Sequence, residues 1–179
     1  MPLSIIHFDL GTNMAFAHNG CDGVIICERF VATGPRAQRA AQTLAWLLGR
    51  LAEMKAAGIT FDVAHYERPF ARGFDATRSG WGLAGVIEAV FGNLCVVLDS
   101  TPQAIKSFAL GKAPARVKMT SREKTATSKA EKLLLIEVAQ GLGYYGDNEH
   151  EADAFLGLKY AERHCAKGEP APAPKRKKK

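Results

Sequence analysis

Leu3-Ser4-Ile5-Ile6-His7-Phe8-Asp9-Leu10-Gly11-Thr12-Asn13 is the stretch that decides the fold. Residues 3–9 read as a short buried strand, and Leu10-Gly11-Thr12-Asn13 reads as the turn that ends it. Working outward, residues 14–18 and 23–32 read as two more strands of an antiparallel meander. The separator Asn19-Gly20-Cys21-Asp22-Gly23 is rich in turn residues. From Pro35 to Ala57 the pattern is helical: Leu44, Leu47, Leu48, Leu51 and Met54 recur at three- and four-residue spacing, and Gly58 closes the run. A strand over 61–66, a small-residue-rich helix over 75–92 and an apolar strand over 95–98 follow. Thr101-Pro102 opens a short helix that ends near Gly111, because proline suits the first helical position. Residues 112–125 lack periodicity and read as a mobile basic loop. Helices over 126–141 and 149–164 complete the chain. The order β-β-β-α-β-α-β-α-α-α predicts a mixed sheet with helices on its faces, an α/β domain.

The length of 179 residues suits one domain with a full core. That domain is expected over residues 1–166. Residues 167–179, rich in Pro, Ala and Lys, read as a disordered basic tail. Hydrophobic residues at 47% and charged residues at 23% exclude wholesale disorder. No apolar run reaches the ~18 residues needed to cross a bilayer, and the N-terminus lacks the pattern of a signal peptide. The four cysteines have no C-x-x-C pairing, so a zinc site or disulfide framework has no support and a cytoplasmic setting is expected.

The net charge is +6, and its placement matters more than its size. The last five residues carry +5. Residues 104–132 hold Lys106, Lys112, Arg116, Lys118, Arg122, Lys124, Lys129 and Lys132 against only Glu123 and Glu131. Such asymmetry points to a polyanion partner, whose counterions Lys and Arg displace. A solvated loop and a solubilising tail would be the plainer explanation.

Three carboxylates stand where ordered elements should present them. Asp9 ends the first strand, Glu67 follows Asp62-Val63-Ala64-His65-Tyr66, and Asp153 lies in the first turns of the last helix. His150 and Asp153 are three apart and so share a helix face. Hard divalent cations take convergent oxygen ligands, and a pair of ions can activate water and stabilise the leaving oxygen in phosphodiester cleavage. Singly, each acid has a structural explanation. Asp9 could form a turn, Glu67 could pair with Arg68 or Arg72, and Asp153 could meet the helix dipole.

The pattern Ile6-x-x-Asp9-x-Gly11, Glu67-x-x-Phe70, Lys129, His150-x-x-Asp153-Ala154 resembles the RuvC-type Holliday-junction resolvases, in the phage and bacterial branch of the ribonuclease-H-like superfamily. The resemblance spans residues 3–164. It implies a ribonuclease-H-like, five-stranded mixed sheet flanked by helices. It also implies a homodimer that resolves four-way DNA junctions by paired symmetric nicks, with two Mg²⁺ per site and Mn²⁺ able to substitute. No small-molecule cofactor and no membrane partner are expected. Asp9, Glu67, His150 and Asp153 match the metal-binding acids and their fourth position, with Glu151 a competing ligand beside His150. Phe70 matches an aromatic wedge at the junction bases, and Lys106 and Lys129 match basic residues at the scissile strand. Arg72, Lys112, Arg116, Lys118, Arg122 and Lys124 are the further DNA-binding candidates. About fifteen residues near 111–125 depart from the compact bacterial pattern.

Read as chemistry, Asp9 would bridge both metals, Glu67 would hold one near the leaving 3′ oxygen, and Asp153 with His150 would hold the other. His150 could instead act as a general base or merely cap a helix. Lys129 would stabilise the developing phosphorane charge or simply be an exposed helix lysine. Phe70 could stack on an unpaired base or fold back on the core. The helix over 75–92, with Trp81, Leu83, Val86, Ile87 and Val90 among Gly80, Gly82 and Gly85, suits either a two-fold interface or packing on the sheet. Three rivals remain. A phosphate-binding fold of the actin and sugar-kinase type fits the first turn, but needs a second lobe. A non-catalytic nucleic-acid-binding module has no use for three placed acids. A related nuclease would act on forks, flaps, other branched DNA or RNA–DNA hybrids.

Overall fold

The computed structural model describes residues 2–11, 13–20, 24–69, 74–111 and 121–165, with side chains described outside 74–77 and 121–127. Phe70, Arg72, Lys112, Arg116, Lys118, the side chains of Arg122 and Lys124, and the expected tail lie outside the described residues. Five strands form one sheet: β1 (Ile5–Asp9), β2 (Asn13–His18), β3 (Ile26–Val31), β4 (Val63–Glu67) and β5 (Val96–Ser100). The helices are α1 (Arg36–Ala56), α2 (Phe74–Phe91), α3 (Pro102–Leu110), α4 (Ser121–Gly141) and α5 (Glu149–Cys165).

The strand order is β3-β2-β1-β4-β5. β1 pairs antiparallel with β2 and parallel with β4, whose partner β5 is also parallel. β1 is therefore central, and the C-terminal ends of β1 and β4 lie side by side, with Phe8 opposite Tyr66. Strand alternation sorts the side chains. Ile6, Phe8, Ala64 and Tyr66 join the core under α1 and α2, while Ile5 and Val63 pack against α5 through Ala154, Leu158 and Ala161. His7, Asp9, His65 and Glu67 share the α5 face.

α5 is buried from Ala154 to Leu158 without a break. A helix apolar on most sides must be covered on most sides. The sheet covers one side, and Ile105 of α3 with Leu135 and Ala139 of α4 covers another. Gly157 is required where α5 crosses β1, because a Cβ there would overlap His7 Nε2. Asn148 Oδ1 accepts from the backbone N–H of His150 (3.0 Å) and Glu151 (3.3 Å), so a side-chain cap fixes the start of α5. The α3 signals act as read: Thr101 Oγ1 accepts from Ala104 N, Pro102 opens the helix and Gly111 closes it at φ +71°.

Three expectations need correction. The loop expected over 112–125 gives way to helix at Ser121. Arg, Glu, Lys and Ala favour helix without any apolar periodicity, which a hydrophobic pattern does not register. The expected stripe on α1 is narrower: Leu47 and Met54 are buried, with Thr43 beside them, whereas Leu44 and Leu48 are 37% and 53% exposed. Two strands also end later than read. β4 includes Glu67, and β5 runs on through Asp99 to Ser100, where ladder pairing rather than apolarity sustains it.

Candidate active site

The parallel pairing of β1 and β4 brings Asp9 and Glu67 to the same end of the sheet, and the capped start of α5 brings His150 and Asp153 over them. All four line one cavity of about 390 Å³. His150 Nδ1 lies 3.4 Å from Asp9 Oδ2, and its Nε2 lies 3.3 Å from Asn13 Nδ2. The hydrogen bond to Asp9 raises the His150 pKa against the opposing effect of burial, and the charges of Asp9, Glu149 and Asp153 add to the rise. Burial pushes the Asp153 carboxyl up to about 7, and the negative charge of Asp9 reinforces the shift.

The sequence candidates separate into groups. Asp9, Glu67, His150, Asp153 and Lys106 come together at the cavity. Glu151 does not: its carboxylate accepts from Tyr144 Oη at 3.1 Å, outside the described lining. Lys129 is exposed and does not line the cavity either; from α4 the described lining comprises Ser128, Glu131, Lys132 and Leu135. Leu135 is buried, which orients that face inward and places Lys132 on it. Lys106 Nζ is 2.9 Å from Glu131, and Lys132 Nζ is 2.7 Å from Glu149, so both ammonium groups are held at the rim. Arg68 also lines the cavity, in a two-pronged pair with Asp99 at 2.8 and 2.5 Å.

No protein-family model and no curated protein matches the chain. Among solved structures it is similar to Thermus thermophilus RuvC, with a TM-score of 0.64 at 16% identity, covering 96% of this chain and 100% of that one. It is also similar to T. thermophilus RuvC in complex with Holliday junction substrate, with a TM-score of 0.67 at 15% identity, covering 96% and 99%. The chain has the RuvC-type fold. Within the RuvC-type frame the acids stand at the C-terminal ends of β1 and β4 and the start of α5, and the basic residues on α3, α4 and the end of β4.

Sequence reading missed Lys132, Arg68 and Ser128 as cavity residues, and Asn13 as the partner of the His150 ring. For Lys132 a signal existed: Ser128, Lys132 and Leu135 repeat at four and three residues, one face of a helix, while Lys129 falls off it. For Arg68 the signal was Asp99, invisible as its partner until β5 is known to reach Ser100.

The chemistry of the donor set suits a hard divalent cation. Carboxylates from three separate elements enter one cavity, and one of them is raised to about 7 by burial beside another acid. A cation would relieve that repulsion. Among the described residues no three His, Cys, Asp or Glu side chains already form a closed ligand group. The fit is therefore one of donor type and convergence.

Proposed function

We propose that the chain is a divalent-metal-dependent endonuclease that nicks four-way DNA junctions as a homodimer. The observation that carries this reading is the convergence of Asp9, Glu67 and Asp153 on one cavity with a basic rim, in a fold of the RuvC type. Asp9, Glu67, Asp153 and His150 would hold Mg²⁺, with Mn²⁺ as a substitute; the ions would supply an activated water and neutralise charge on the phosphate. Lys106 and Lys132 flank the acids and attract the phosphate that the acids alone would repel. Arg68, locked by Asp99, adds a fixed donor plane for a phosphate oxygen. Asn13 and Asp9 together orient the His150 ring. The junction comes from the second T. thermophilus neighbour, whose bound substrate is a Holliday junction. The face of α2 that carries exposed Trp81, with open space where a Cβ on Gly85 would point, suits a second copy. The cellular setting we assign is the cytoplasm of a bacterial or phage-infected cell.

A synthetic four-way junction, a replication fork, a flap and a plain duplex, each incubated with the protein and Mg²⁺, test this reading. Paired nicks confined to the junction are expected. Equal cutting of fork and junction would widen the substrate class to branched DNA, and no cutting of any substrate would remove the enzymatic reading.

A further inference from the structure

A second, smaller cleft opens beside the acidic cavity, between the first turns of α1 and the middle of α2. Its volume is about 120 Å³, and Arg36, Arg39, Thr43, Ser79 and Gly82 line it. Gly11 and Leu83 line both it and the acidic cavity, so the two meet at the β1–β2 turn. β1 and β3 run in the same direction, each antiparallel to β2, so α1 begins at the end of the sheet where Asp9 stands. The cleft and the acids therefore open on the same side of the molecule.

Its charge is one-sided. Arg36 and Arg39 make no ion pair among the described residues. Arg39 is half-buried and spans the cleft wall: Nη1 donates to Gly34 O at 3.1 Å, and Nη2 lies 3.5 Å from Ser79 Oγ. These contacts hold the guanidinium in place and leave further N–H donors open. Mostly small residues, with Leu83, line the rest. An added Cβ on Gly82 would meet nothing within 4 Å, so the room is real on the α2 side. A planar donor held beside a phosphate-sized space suits an oxyanion, whose oxygens it can meet with two N–H groups.

We propose that this cleft binds one backbone phosphate of the DNA strand that passes through the acidic cavity, with Arg39 as the fixed donor and Arg36 closing over it. The proposal rests on the nuclease reading for the identity of the strand. It assigns a role to two arginines outside the basic segment of residues 104–132. The track would run from the acids across Gly11 and Leu83 to Arg39, setting the position of the strand one or more nucleotides from the cut.

The test measures binding of a fluorescent four-way junction in EDTA at several salt concentrations, for the wild type and for R36Q, R39Q and K55Q. Lys55, in the last turn of α1 and so at the other end of that helix, controls for lost charge alone. R39Q is expected to weaken binding about tenfold and to lower the slope of log K against log salt by up to ~0.9, the share of one phosphate. R36Q should act in the same direction, and K55Q should change affinity less than about twofold. A single neutral methylphosphonate is then walked along the strand. At one position it should weaken the wild type as much as R39Q does, and R39Q should add no further loss there. R36Q and R39Q that match K55Q, or losses that add at every position, overturn the proposal. So does an R39Q variant that changes the sedimentation of the free protein and not its DNA affinity, for the cleft would then serve subunit contact. Because no nicking is measured, failure of the nuclease reading leaves this outcome readable on any DNA the chain binds.

Discussion

Asp153 stands in the first turns of α5, where burial and the charge of Asp9 push its carboxyl up to about 7. Near neutral pH it holds a proton for much of the time, and a cation must displace that proton to use the carboxylate. The surrounding lysines divide by orientation. Lys132 is fixed at the rim by Glu149, whose own pKa is lowered by that hydrogen bond. Lys129, one residue past Ser128, points elsewhere and is exposed. Lys132→Ala is accordingly expected to lower the single-turnover nicking rate of a saturated junction by about tenfold or more, through loss of charge beside the phosphate. Lys129→Ala should alter that rate by less than about twofold while it weakens DNA binding. The opposite ranking would return the role to Lys129. The acids were legible in the sequence because each closes an apolar run or opens a helix. The lysine was not, because its choice depends on which face of α4 meets α5, and that follows from Leu135 and Ala139 packing on Phe155 and Leu156.

The layer between sheet and α5 contains a feature that the function does not use directly. His7 and His65 pair across β1 and β4 through their Nδ1 atoms at 2.6 Å, and His65 Nε2 meets Ser100 Oγ at 2.8 Å. One ring must donate and the other accept, so the two rings cannot both be protonated. Burial lowers the His7 pKa well below its usual value and the His65 pKa to about 4. The unfolded chain takes up these protons near 6.5, so between about 6.5 and about 4 it binds more protons than the folded chain. Stability therefore falls as pH drops through that window, and these groups leave it unchanged above the window. His65 alone contributes a loss of order 3 kcal/mol by pH 4, at 1.36 kcal/mol per unit. Ring signals followed by NMR should keep their neutral positions down to about pH 5, while denaturant midpoints fall over the same range. A titration midpoint near 6.5 for either ring would contradict the buried-pair account. At this scale the strands were readable from alternation, and α3 from its proline, threonine and glycine. The first turns of α4 were not, because polar helix formers carry no apolar period. Leu44 and Leu48 misled because helical spacing shows that a stripe exists without showing how wide the partner surface is.

For the whole molecule, the order of strands and helices in the sequence was enough to predict a mixed sheet with helices on both faces, and the resemblance supplied the five-strand arrangement. What sequence could not supply was the meeting of two clefts at Gly11 and Leu83, since α1 and α2 approach each other only through tertiary packing. Among the described residues no helix is long and apolar enough to cross a membrane. The exposed face of α2 is the surface we assign to a second copy. Trp81→Glu should give a folded monomer in sedimentation where the wild type gives a dimer, because a buried carboxylate without a partner is costly. A wild-type chain that sediments as a monomer would remove the two-fold arrangement and leave the single site standing. The central claim is that acids at the ends of β1, β4 and α5 serve metal-dependent cleavage while other residues serve DNA affinity. Asp9→Asn, assayed beside the wild type for junction binding and for Mg²⁺-dependent nicking, measures it most directly. The account predicts binding within about threefold of the wild type and nicking below about a tenth of its rate; nicking that persists above that level would contradict it.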